Sequence, residues 1–277
     1  MSTFEVAAGG ATLRGDDDGE GPAILMLHGL SATRRYVVHG STALERAGYR
    51  VIAYDSRGHG ESSPARASDD YHYDQLADDA VRVLDDRGIE HAALVGMSMG
   101  AAVAAAVALR HPDRVQALVA VTPAHLGTPA IDPARWDRLA QGLEDGGPDG
   151  FVQAYGDPGV DPRSLELIRT VMRQRLSRHA HPGAVADALR CTPRGAAFDG
   201  VAALAGIGCP TLVIGSRDRL DPEHPLRTAE RWAEAIPGAL FEVEDDAESP
   251  LAWRGGSLSR VIAGFLAGAG MTPRATR

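Results

Sequence analysis

Lysine is absent from this chain: all 28 basic residues are arginine. That excludes Schiff-base chemistry, the phosphate-binding Walker lysine and a Tyr-x-x-x-Lys dehydrogenase pair, all of which need an amine side chain. Cysteine is scarce. Cys191 and Cys209 cannot build a disulfide framework and read as reduced thiols of a cytoplasmic protein. Positive charge is in the minority, and a net charge of −9 speaks against a nucleic-acid partner, whose phosphates need clustered cations. No apolar run approaches the roughly 18 residues of a membrane span. The opening Met1-Ser2-Thr3-Phe4-Glu5 has no basic-then-apolar pattern, so neither a signal peptide nor a membrane partner is expected. Asp16-Asp17-Asp18 and Asp245-Asp246 have no His or Cys companion at ligand spacing. They read as solvated turns, and no metal or cofactor is expected.

What is present is organised around Gly96-Met97-Ser98-Met99-Gly100. This G-x-S-x-G follows the apolar run His91-Ala92-Ala93-Leu94-Val95 and enters a helix of small residues beginning at Ala101. Strand, tight turn and helix in that order form a nucleophile elbow, which holds a serine in strained geometry at the carboxyl end of a sheet. A dinucleotide loop would need its glycines after the first strand and an acidic residue about 20 positions on. Several strand candidates precede these glycines, so that alternative fails.

Strands are expected at 3–7, 11–14, 22–27, 50–54, 91–95, 115–121, 211–214 and 240–243, with a turn at 15–21. Helices are expected at 34–47, after Asp70, from 101, at 226–235 and at 258–267. Alternating strands and helices, with strands apolar throughout, predict an α/β fold: a mostly parallel sheet covered on both faces. Residues 124–206 break this rhythm. They are rich in Pro, Gly and charge, their periodic segments (134–143, 150–155, 163–178, 182–189) are helical, and the stretch is too long for a loop. The expected organisation is a core of 1–123 and 207–277 with an inserted helical cap of 124–206. Trp136, Phe151, Tyr155, Leu165 and Met172 are placed in the cap core or pocket lining.

With these pieces in place the chain resembles the α/β-hydrolase family, capped type. Three further strings carry the resemblance. His28-Gly29-Leu30 ends a buried strand where the family places its oxyanion loop. Asp55-Ser56-Arg57-Gly58-His59-Gly60-Glu61-Ser62 is similar to the family's D-x-R-G-x-G-x-S loop. Gly215-Ser216-Arg217-Asp218 stands where the family carries its triad acid. The resemblance implies Ser98 as nucleophile, Asp218 as acid, and the backbone N–H groups of Leu30 and Met99 as oxyanion donors. His28 and His59 belong to loops that the family uses structurally. His39, His72, His91, His111, His179 and His181 read as surface or cap histidines.

The pattern breaks near the end. Where the family has its catalytic histidine, after the last strand, this chain reads Ala247-Glu248-Ser249-Pro250, and no histidine follows His224. Three readings stand. Glu248 is itself the base, its pKa raised by burial beside Asp218. Alternatively His125 or His224 fills the vacancy, or the site has ceased to hydrolyse. The leading expectation is serine-dependent hydrolysis of a small ester, thioester or lactone by Ser98, Glu248 and Asp218. The alternative is a silent small-molecule-binding protein on the same fold. Ser98 argues against the epoxide and dehalogenase branches, whose nucleophile at this position is Asp. The only partner expected is a small-molecule substrate, with self-association left open.

Overall fold

A computed structural model describes residues 2–218, 220–221, 223–244 and 253–273. Its strands are β1 (Ser2–Ala8), β2 (Ala11–Asp18), β3 (Ala23–Leu27), β4 (Arg50–Tyr54), β5 (Ala92–Met97), β6 (Val115–Val121), β7 (Thr211–Gly215) and β8 (Leu240–Val243). They form one sheet in the order β1-β2-β4-β3-β5-β6-β7-β8. The pairs β1–β2 and β2–β4 are antiparallel, and every pairing from β4 to β8 is parallel.

Strands β3, β5, β6 and β7 are buried on both faces, successive side chains pointing to opposite sides of the sheet. The edge strand β8, also expected to be apolar throughout, is largely exposed. Along β3, Leu25 and Leu27 enter one core while Ile24 and Met26 enter the other. The first core is covered by α2 (Tyr73–Asp86), α3 (Met99–Arg110) and α7 (Leu226–Ala235). The second is covered by α1 (Ala43–Arg46) and α8 (Gly255–Gly268). Between β6 and β7 the regular elements are all helical: α4 (Pro133–Tyr155), α5 (Pro162–Leu176), α6 (Pro182–Cys191) and short 3-10 turns. They share an apolar cluster of Leu139, Leu143, Phe151, Leu176, Val185 and Leu189, against which Leu30 packs from below. No helix among the described residues is long and apolar enough to cross a membrane.

Two further expectations need correction. The helix expected over 34–47 is only a 3-10 turn at Arg34–Tyr36 and the single turn α1. Positive φ at His39 and Gly40 interrupts the chain between them, which no right-handed helix tolerates. Of the turn expected at 15–21, residues 15–18 instead continue β2, paired Gly15 to Tyr54 through Asp18 to Val51, and only 19–21 lie between strands. Asp16 and Asp17 are therefore buried within a strand rather than solvated. Arginines make this tolerable. Arg34 Nε donates to Asp16 at 2.7 Å, and Arg50 holds Asp17 through two bonds of 2.9 and 2.7 Å. Asp245 and Asp246 lie outside the described residues.

Candidate active site

Ser98 joins β5 to α3 with φ 57° and ψ −115°, a conformation that an L-residue adopts only under constraint from its surroundings. The constraint is visible. Ser98 N–H donates to Val121 O at 3.0 Å, and the glycines of the motif permit contacts that no side chain could. A Cβ on Gly96 would lie 2.1 Å from Gly100 O, and one on Gly100 only 2.0 Å from Leu27 O. The serine thus stands above a helix whose first N–H groups have no intrahelical acceptor. Met99 is the first of these residues. Gly29, next to Leu30, lies so close that a Cβ there would be 3.2 Å from Ser98 Cβ. Both expected oxyanion positions therefore border the serine.

The decisive contact comes from the loop after β7. His224 Nε2 lies 2.7 Å from Ser98 Oγ, and His224 Nδ1 lies 2.7 Å from Asp221 Oδ2. A proton on Nδ1 is donated to the carboxylate, which leaves Nε2 free to accept from the serine hydroxyl. Asp221 Oδ1 accepts a further bond from Glu223 N–H at 3.2 Å. Burial alone would push the Asp221 carboxyl up. The His224 ring and the bonds it receives from His224 and Glu223 outweigh this, and its pKa lies below the ordinary carboxylate value. Asp221 is thus held as an anion facing the imidazole.

Asp218, the expected acid, sits on the same loop and lines the same cavity. Its Oδ1 accepts the Leu220 N–H at 2.9 Å, and its own N–H donates to Ser216 Oγ at 3.1 Å. These bonds shape the turn that presents Asp221. The carboxylate that meets the imidazole is Asp221. Glu248 lies outside the described residues. The His125 ring instead stacks on Phe198 at 5.4 Å and tilts against Tyr73 at 5.1 Å. Burial lowers its pKa to about 4. The sequence holds one local signal for the pair that does meet, Asp221-x-x-His224, a spacing that lets one turn bring a carboxylate to an imidazole. Nothing local says that the imidazole then reaches Ser98.

His28 and His59 fix loops, as expected. His28 Nε2 accepts from Ser56 N–H at 2.9 Å, and His59 Nδ1 donates to Arg57 O at 3.0 Å. The surrounding loop is anchored by Arg57 and Asp79, both fully buried and bonded through 2.8 and 2.7 Å contacts. His179, by contrast, is not a surface residue. It is buried beside His59 with ring centroids 5.6 Å apart, accepts from Gly60 N–H at 2.9 Å, and donates to Ser31 O at 3.1 Å. It therefore ties the cap to the core loops.

Burial favours the neutral form of the three clustered imidazoles, whose rings meet tilted and edge-on. Burial first, then the neighbouring rings, lowers His28 and His179 from 6.5 to about 3, and burial lowers His59 as well. Arg34 adds to the depression at His28, while the nearby Asp55 opposes it at His59 and His179. In the unfolded chain these rings protonate near 6.5, so their contribution is intact above that pH and is lost as pH falls toward 3. Each adds a slope of about 1.4 kcal/mol per pH unit. Urea unfolding is therefore expected to show a midpoint that drops steadily between pH 6.5 and 4.5, with protons taken up by these rings and by the buried His125 and His39. A midpoint flat across that range would contradict the assignment.

The serine opens into a cavity of about 920 Å³ between sheet and cap. Trp136, Leu139, Phe151, Tyr155, Ile168 and Met172 contribute from the cap, while Leu165 is half-buried elsewhere on α5. Its volume suits a small organic molecule.

A profile for the alpha/beta hydrolase fold matches residues 22–156. The chain is 42% identical over 105 residues to Epoxide hydrolase B of Mycobacterium tuberculosis, a match covering 38% of this chain and 30% of that protein. It is 32% identical over 197 residues to RutD of Caulobacter sp. (strain K31), covering 70% of this chain and 72% of that one. Among solved structures, a thermophilic esterase from Thermogutta terrifontis superimposes with a TM-score of 0.76 at 26% identity, covering 97% and 99% of the two chains.

Proposed function

The chain belongs to the α/β-hydrolase fold family, and we propose that it is a serine hydrolase acting on a small ester, thioester or lactone through Ser98, His224 and Asp221. The observation that carries this reading is the imidazole set between a serine hydroxyl and a carboxylate at 2.7 Å on either side. This arrangement also answers the missing histidine, because it uses one from the loop after β7 and needs no proton transfer through Glu248.

In the first half-reaction Ser98 Oγ attacks the substrate carbonyl carbon as its proton passes to His224 Nε2. Asp221 stabilises the imidazolium that forms. The carbonyl oxygen becomes an oxyanion, which the Leu30 and Met99 N–H groups would receive, a contribution of about 2.7–4 kcal/mol per donor in other hydrolases. Collapse of the tetrahedral adduct breaks the bond to the alkoxide or thiolate, which leaves with the proton from His224. Water then gives a proton to His224 and attacks the acyl-serine, and the acid departs as Ser98 regains its hydrogen. Epoxide opening is disfavoured, since the family's epoxide branch attacks with a carboxylate at the position that Ser98 occupies here.

A fluorophosphonate probe should label Ser98, because the elbow presents an activated hydroxyl beside N–H donors that can hold the phosphonyl oxygen. Mass spectrometry is expected to find a single adduct on the peptide containing Ser98. Its absence after prolonged exposure would overturn the hydrolase reading in favour of a silent binding protein.

A further inference from the structure

Arg175, in the last turn of α5, lines the cavity that holds Ser98. Its Nε is shut off from solvent and has no hydrogen-bond partner, and among the described residues its guanidinium makes no ion pair. The residue is part-buried, and its enclosed Nε has lost water without gaining a partner, a cost that an anion entering the cavity would offset; burial presses its pKa downward. The carboxylates that line the cavity are committed elsewhere, Asp218 through the Leu220 N–H. Asp221 holds His224 and the Glu223 N–H, while Glu223 pairs with Arg135 at 2.5 Å. Asp55 and Glu61 are taken by Arg34. Asp221 therefore bears on Arg175 through its field but does not bond it, as do the phenols of Tyr36 and Tyr155. Both tyrosines line the same cavity and add hydroxyl donors beside the guanidinium.

We propose that Arg175 receives a carboxylate of the substrate, so that the enzyme's preferred ester or lactone carries a free acid group apart from the reacting carbonyl. This rests on the serine-hydrolase reading. A guanidinium suits such a ligand because its planar fork offers parallel N–H groups that match the two oxygens of a carboxylate. The apolar wall of Leu139, Phe151, Ile168 and Met172 would take the hydrocarbon between the acid and the carbonyl.

The test begins with binding to the wild-type protein, where no turnover is needed. Calorimetry should show that glutarate, adipate or pimelate binds at least tenfold more tightly than the corresponding diamide, as a hydrogen bond to a charged group implies. Kinetics should then show the same preference in kcat/KM for the monomethyl ester of the acid over its neutral monoamide analogue. In Arg175→Met and Arg175→Gln both ratios should fall about tenfold or more, with Arg175→Lys between. Equal binding of acid and amide by the wild type overturns the proposal, even if both variants fail to fold. So does a loss of activity in Arg175→Met that leaves the acid-to-amide ratio unchanged, which would mark the arginine as a support for Asp221. If Ser98 resists the fluorophosphonate while diacids still bind selectively, the hydrolase reading fails and the anion site stands.

Discussion

Replacing His224 with alanine is expected to lower kcat on any ester that the protein hydrolyses by about 10⁶-fold, the loss measured when a triad histidine is removed from another serine hydrolase. The size follows from what the ring does. With Nε2 at 2.7 Å from Ser98 Oγ, on the proposed mechanism it would take the hydroxyl proton in one step and return it to the leaving group in the next. Without it the serine must attack as a neutral alcohol, and only the oxyanion donors and substrate binding remain. The ring is not part of either apolar core, so thermal unfolding should change little. Glu248→Gln is the informative companion. It should keep most of the activity, because the proposed proton path runs through an imidazole. Full activity in His224→Ala, with loss in Glu248→Gln, would return the base to Glu248.

Asp221→Asn should cost about 10⁴-fold in kcat, the effect of the same change in a well-studied serine protease. The amide can donate to Nδ1, which drives the ring proton to Nε2 and points a donor, not an acceptor, at Ser98. Loss of the anion also removes the charge that stabilises the imidazolium. Asp218→Asn is the control. The Asp218 Oδ1 acceptor used by Leu220 N–H survives as the amide oxygen, so a loss smaller by orders of magnitude is expected. The two variants make the same chemical change at positions three residues apart, and steady-state kinetics on a single ester separate them. Comparable losses in both would mean that the two carboxylates share the imidazole.

Much of the frame was legible before any coordinates. Leu25, Leu94 and Leu118 lie in runs apolar on both faces, and only a strand covered on both sides buries such a run. The elbow was legible because Gly96 and Gly100 answer a local demand, the approach of α3 to β5 and β3. The helices of 124–206 were legible from their periodicity. Other features were hidden by their partners. Asp16 and Asp17 look like turn residues until Arg34 and Arg50 arrive from distant segments to neutralise them inside a strand. His179 reads as a surface or cap histidine, and that it is buried shows only when its bonds to Gly60 and Ser31 are seen.

The sequence by itself determined that a strained serine would stand at the carboxyl edge of a parallel sheet, that helices would lie between β6 and β7, and that no lysine is available. Those properties follow from composition and from patterns spanning a few residues. Which imidazole meets that serine was decided only by the tertiary structure. Ser98 and His224 are 126 positions apart, and β7 is joined to β5 through β6, so their loops open at the same edge of the sheet. The Asp218 turn then tips Asp221 and His224 toward the serine. A hydrogen bond between two loops depends on strand order and loop direction together, and no local pattern of residues encodes both.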